Sequence, residues 1–276
     1  MTDARDASSQ PGRAELEVIP GPRGSVVSRA LAASPLRLLT PANHGRAAWI
    51  YTSTFGGGMV DGDAIAMRVV VGQGAAALLS TQASTKVYRS PRGCEVELQA
   101  EVERDGLLVV LPDPVVCFAA SSYRQVQRVD VAAGARLVLV DWMTSGRRAS
   151  GERWAFAEYV SRTVVRYGGR LLLHDGTALR ASDGDLAARM GRFDVLALVV
   201  IAGAGLQDDA TALVSSVNGR PIVRGADELV AAAPLRDCGC VVRVAGRSVE
   251  QVGRRLRRLL RFVPALLGDD PWSRKW

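Results

Sequence analysis

Histidine, lysine and aromatic residues are scarce in this chain, and each scarcity narrows what it can do. Only His44 and His174 occur among 276 residues, so a histidine-rich metal site or a His-centred triad has little to be built from. Aromatics are 5% of the chain, and none interleave with basic residues as a base-stacking surface requires. No apolar run reaches the roughly 18 residues of a membrane span; the longest is Val195 to Ala204. Cys94, Cys117, Cys238 and Cys240 are too few for a disulfide framework, and no second pair completes a thiolate site with Cys238 and Cys240. The start of the chain lacks the apolar core of a signal peptide, which makes a cytoplasmic location the expectation.

What is present is globular: 48% hydrophobic and 23% charged residues, with a net charge of +7. Of the 35 basic residues only Lys86 and Lys275 are lysine. The polar composition of residues 1–24 reads as a disordered tail, and residues 25–276 as a single domain.

Most of the domain alternates with a period of two. From Cys94 to Glu103, Val96, Leu98, Ala100 and Val102 alternate with glutamates and Gln99, which predicts a strand with one buried and one acidic face. Arg104-Asp105-Gly106 then predicts a turn, with Leu107 to Leu111 returning beside it. Further strands are expected at 64–71, 75–80, 115–118, 123–131, 137–142, 154–166, 195–201 and 240–244, with a tight hairpin at Asp175-Gly176. Helical signals cover Asp208 to Val217 and Val249 to Val263. The second carries a continuous apolar stripe, Ser248 as N-cap and a stop near Pro264. With no repeated βαβ unit, the expectation is a mainly β fold with two or three helices.

Three motifs stand out. Gly56-Gly57-Gly58 precedes Met59-Val60-Asp61-Gly62-Asp63; it lacks the Lys-Ser/Thr of a phosphate loop and the acidic ladder of a calcium loop, which leaves a tight turn or a site. Thr81 to Ser90 sets hydroxyls beside Lys86, but Ala83 breaks a Ser-x-x-Lys spacing. In Gly146 to Glu152, glycines bracket Arg147 and Glu152, so a turn can pair the two charges.

These fragments, in this order, resemble the urease accessory protein D family, UreD (UreH in some bacteria). The matching pieces are Pro35-Leu36-Arg37, Gly57 to Asp63, Thr81 to Tyr88, Leu111-Pro112-Asp113-Pro114, Ser121 to Gln125 and Gly146 to Glu152. The family usually has Glu at the place of Asp141, Pro at that of Arg148 and a different ending from Ser273-Arg274-Lys275-Trp276. The resemblance implies layered, β-helix-like stacked sheets and a role without turnover. It also implies apo-urease, a helical F-type accessory protein and a G-type GTPase as partners, with room for a dimer within the complex. No cofactor is expected to bind tightly; nickel is the transient cargo.

Nickel(II) binds tightly to nitrogen and sulfur donors, which are lacking here, whereas carboxylate and hydroxyl ligands exchange faster. Asp61, Asp63 and Glu152 are therefore the expected transient ligands. Thr85, Lys86, Tyr88, Asp141 and Arg147 are expected to line or support a wet interior passage. Arg254, Arg258 and Arg261, on the polar face of the last helix, are the expected contacts to an acidic partner. Two rival readings are a nucleic-acid-binding protein using that arginine face and a hydrolase built on Asp63 and Glu152; neither nucleic acid nor membrane is the expected partner.

Overall fold

A computed structural model describes residues 12–236 and 238–273. Its strands are β1 (Gly12–Gly21), β2 (Gly24–Ala32), β3 (Leu36–Leu39), β4 (Ala48–Thr54), β5 (Ala64–Val71), β6 (Ala76–Thr81), β7 (Thr85–Val87), β8 (Cys94–Val102) and β9 (Leu107–Val110). They continue with β10 (Val115–Cys117), β11 (Ser122–Val131), β12 (Arg136–Thr144), β13 (Glu158–Tyr167), β14 (Arg170–Arg180), β15 (Val195–Gly203), β16 (Glu228–Pro234) and β17 (Gly239–Gly246). Four short helices complete the chain: α1 (Leu186–Met190), α2 (Gln207–Asn218), α3 (Val249–Leu259) and α4 (Val263–Leu267).

The strands form a seven-stranded sheet, β14-β13-β11-β8-β5-β1-β2, and a ten-stranded sheet with the path β16-β17-β15-β12-β9-β6-β4-β3. From β4 to β13 the main strands alternate between the sheets, and each lies parallel to the one laid down a coil earlier. Thus β5, β8, β11 and β13 pair in parallel in one sheet, and β4, β6, β9 and β12 in the other. This is the β-helix-like winding expected, with antiparallel strands closing both flanks.

Strand chemistry explains the layers. Val18, Val71, Val102, Val131 and Leu139 turn inward and join a core between the sheets. The other face of the ten-stranded sheet, including Trp49, Leu78, Val199 and Val242, packs beneath α2, α3 and α4 through Leu213, Leu256 and Leu267. This double cover accounts for the unbroken apolar run of β15. The outer face of β8 is charged as predicted, with Glu97 paired to Arg128 and Glu101 to Arg68.

Several expectations are corrected. The tail expected over residues 1–24 gives way at Gly12 to β1, which alternates Ala14, Leu16 and Val18 inward and joins the sheet beside β5; residues 1–11 lie outside the described residues. Leu107 to Leu111 does not return beside β8 but crosses to the other sheet, parallel to β6, because coil winding replaces the hairpin. Asp175-Gly176 makes no turn. Both lie within β14, and the hairpin forms at Gly168 and Gly169, whose φ values of 55° and 79° favour glycine. Ser248 does cap α3, accepting from the Gln251 amide. That helix, however, stops at Leu259, and Pro264 opens α4, in whose first turn its missing N–H costs nothing. No described helix is long and apolar enough to cross a membrane.

Candidate functional site

Parallel registration puts polar residues of neighbouring coils side by side. In β11 and β13 the inward positions run Tyr123, Gln125, Gln127 and Tyr159, Ser161, Thr163 before turning apolar at Val129 and Val165. Asp141 meets this ladder from β12, in the opposite sheet. The Gln125 amide donates to its Oδ1 at 2.7 Å and to Ser161 Oγ at 2.9 Å, while the Ser161 hydroxyl donates to Asp141 Oδ2. Tyr123 donates to Gln125 Oε1 at 3.0 Å, and its ring stacks on Tyr159. Burial pushes the Asp141 carboxyl above its ordinary range, opposed in part by the Ser161 and Gln125 donors. Burial likewise holds both tyrosines well above theirs.

Tyr123, Gln125 and Asp141 of this network line a cavity of about 170 Å³ between the sheets, room for several waters. Met59, Ile65, Met67 and Leu98 are among its walls, Thr81, Ser84 and Thr85 add hydroxyls, and exposed Gly57 and Ala83 stand at its rim. One end of the interior is therefore polar, and the rest is packed apolar core.

The rim joins two of the sequence motifs. Met59 N–H donates to the Lys86 carbonyl and Tyr88 N–H to that of Met59. A Cβ on Gly58 would stand 2.6 Å from the Tyr88 ring and 2.8 Å from the Lys86 carbonyl, so the backbone approach there needs glycine.

Of the expected site residues, Asp141 and Thr85 face the cavity. Asp61, Asp63 and Glu152 do not line it. Asp61 binds Arg92 through Nε, backbone N–H and Nη2, and the side-chain bond holds its carboxyl below the ordinary range. Asp63 Oδ2 accepts from the Val60 N–H at 2.8 Å and closes its own turn. Glu152 pairs with Arg147 and accepts from the Ala119 N–H, and the Arg147 bond lowers its pKa. Arg147 also lies over the Phe118 ring, against which Tyr88 packs edge-on. Lys86 is exposed, does not line the cavity and makes no ion pair among the described residues. The three expected ligands are thus spent on local geometry, and among the described residues no three His, Cys, Asp or Glu side chains converge on a metal position.

The sequence reading missed Gln125, Gln127, Ser161 and Thr163. Their signal was available: a period of two places Gln125 and Gln127 on the same face as Val129 and Val131. Arg254, Arg258 and Arg261 are exposed on α3 or just beyond it, as expected; Arg255 instead turns inward to Glu228 at 2.7 Å.

Two wound sheets around a polar-ended cavity define a mainly β protein of β-helix-like build. The family model of the UreD urease accessory protein matches residues 10–276. The chain is 55% identical to the urease accessory protein UreD of Sorangium cellulosum, over 91% of this chain and 80% of that one. It is 44% identical to the UreD of Anaeromyxobacter sp., over 95% and 88%, and 35% identical to the urease accessory protein D of Oryza sativa subsp. indica, over 96% of each. This chain belongs to the UreD family of urease accessory proteins.

Proposed function

We propose that the chain is a non-catalytic maturation scaffold in the cytoplasm that bridges apo-urease to the F-type and G-type accessory proteins and passes nickel to the enzyme. The observation that supports transfer is the cavity lined by Asp141, Gln125 and Thr85, with Ser161 bonded to Asp141 and Gln125 behind them. Two carboxylates, Asp141 and Asp113, among amide and hydroxyl oxygens form a hard, sparse donor set; it binds nickel weakly and releases it, whereas histidines or thiolates would trap the ion. Burial pushes the Asp141 pKa up, so a cation entering the cavity would favour the ionised carboxylate that burial disfavours.

In this reading Asp141 and Thr85 touch the cargo. Asp61, Asp63, Glu152, Lys86, Tyr88 and Arg147 shape the rim loops. The test is nickel-dependent activation of purified apo-urease by the F-type and G-type proteins, with and without this chain, after co-purification of the assembly. Activation that is equally fast without the chain would reject the role. Full activation by Asp63→Ala and Glu152→Ala, with loss in Asp141→Asn, would assign transfer to the cavity and not to the rim carboxylates.

A further inference from the structure

The loop of residues 219–227, between α2 and β16, presents its apolar residues outward. Ile222 is 84% exposed and Val223 61%, side by side and flanked by exposed Arg220 and Arg224. Two adjacent β-branched side chains this bare are unlike the singly scattered apolar residues of an ordinary surface.

The same end of the ten-stranded sheet concentrates arginine. Gly246 pairs with Glu228 on one side and Val195 on the other, so the loops before β16, before β15 and after β17 meet here. Arg192 Nε donates to the Ala226 carbonyl at 2.6 Å and ties the 219–227 loop down. The nearby carboxylates are engaged: Asp194 by Arg148 and Arg153, Asp227 by Arg247, Glu228 by Arg255. Arg220, Arg224 and Arg258 have no acidic partner among the described residues, while Arg254 donates to the Glu250 carbonyl and lies within electrostatic reach of the Glu250 carboxylate. The result is an aliphatic tip beside an excess of positive charge, with Arg220, Arg224 and Arg258 the arginines left without a carboxylate among the described residues.

We propose that the 219–227 loop and the arginine face of α3 form one docking surface for a partner protein that offers an apolar pocket rimmed by carboxylates. The aliphatic tip argues against single-stranded nucleic acid, which binds through aromatic stacking, and duplex binding is separated by the DNA arm of the experiment. Like charge selects against a second copy, because an isologous pairing would bring the same arginines together. This surface rests on the bridging role proposed above and supplies its contact.

The experiment measures the affinity of the full chain for purified apo-urease and, separately, for the purified F-type protein, at low and high salt. Ile222→Asp with Val223→Asp should weaken binding to one of the two by about ten-fold or more. Arg220→Glu with Arg224→Glu should slow association with that same partner and flatten its salt dependence. Arg254→Glu with Arg258→Glu should behave likewise, and Arg162→Glu with Arg170→Glu, on the other sheet, should leave binding unchanged. Thermal melts of these exposed-site variants should match the wild type. Wild-type binding that survives the loop substitutions overturns this surface alone. Wild-type binding to neither protein overturns the bridging role and the surface with it. Arginine-dependent binding to a short duplex DNA, with protein binding unaffected, also overturns the assignment.

Discussion

Gln125 of the seven-stranded sheet and Asp141 of the ten-stranded sheet meet across the interior at 2.7 Å, amide to carboxylate. With Ser161 bonded to the same carboxylate, the polar end of the cavity is a connected network in place of the packed aliphatics further down. Asp141→Ala leaves two buried donors without an acceptor, at about 1–3 kcal/mol each. Asp141→Asn keeps an oxygen for Ser161 and lets the Gln125 amide flip, so its stability should stay within about 1 kcal/mol of wild type. Urea melts of the two variants check this. Equal stability of the alanine and asparagine forms would show that the network is not satisfied as described.

The same carboxylate gives stability a pH dependence of unusual sign. Burial raises the Asp141 pKa in the folded state, so between the ordinary aspartate range and that raised value the native chain holds more protons than the unfolded one. Its contribution therefore falls as pH rises through that window and is flat below it, where both states are protonated. Asp61 and Glu152, held down by Arg92 and Arg147, act oppositely: what they contribute is present above their ordinary values and fades as pH falls. The difference in stability between wild type and Asp141→Asn, followed from pH 4 to pH 8, isolates the Asp141 effect, and it should grow in favour of the variant as pH rises. A flat difference would contradict the raised pKa.

Two glycines close the ten-stranded sheet where no side chain fits. A Cβ on Gly203 would lie 2.1 Å from the Ala135 carbonyl oxygen, and one on Gly239 would lie 1.9 Å from that of Ile201; both have positive φ, 120° and 158°. The obstacle in each case is backbone, which cannot rotate away. Gly203→Ala and Gly239→Ala should each destabilise by about 3 kcal/mol or more, well beyond the propensity difference between the residues. Gly205→Ala, with nothing within 4 Å of its Cβ position, should cost less despite its φ of 75°. A melting series of the three variants reads this ordering directly.

How far these features could be read from the chain depends on whether their cause is local. Alternation in β5, β8 and β11 is local, and their boundaries were legible to within a residue or so. The helix signals over 208–217 and at Ser248 were legible for the same reason. Coil registration is not local. Arg92 reaches Asp61 across 31 residues and Gln125 reaches Ser161 across 36, and nothing in the spacing marks either pair. Asp61 and Asp63 resembled free ligands because the partners that occupy them are distant in sequence or are backbone N–H groups. The burial of Gln125 was overlooked for a different reason: the strand over 123–131 was read without assigning its faces, although Val129 and Val131, which share the face of Gln125, are apolar. β1 was overlooked because the polar stretch before it coloured the reading of its own Leu16 and Val18.

Asp194 anchors the Gly146 to Glu152 turn from outside it. Its buried carboxylate takes Arg148 at one oxygen and Arg153 at the other, both at 2.6 Å, and its backbone holds Ser145 and Gly246. Arg148 lies within the turn closed by the Arg147–Glu152 pair and Arg153 directly follows it, so the two fix the loop that presents the pair. Asp194→Asn removes the charge but keeps the backbone bonds, and Arg148, being half-exposed, can turn to water. The loss should therefore be about 2 kcal/mol, below the cost of stranding a fully buried charge. Amide exchange at Gly151 and Glu152 should accelerate more than exchange in β12, because the turn loosens before the sheet does. If both regions exchange faster by the same factor, Asp194 supports the whole sheet and not this turn. If neither changes, the arginines are held by other contacts.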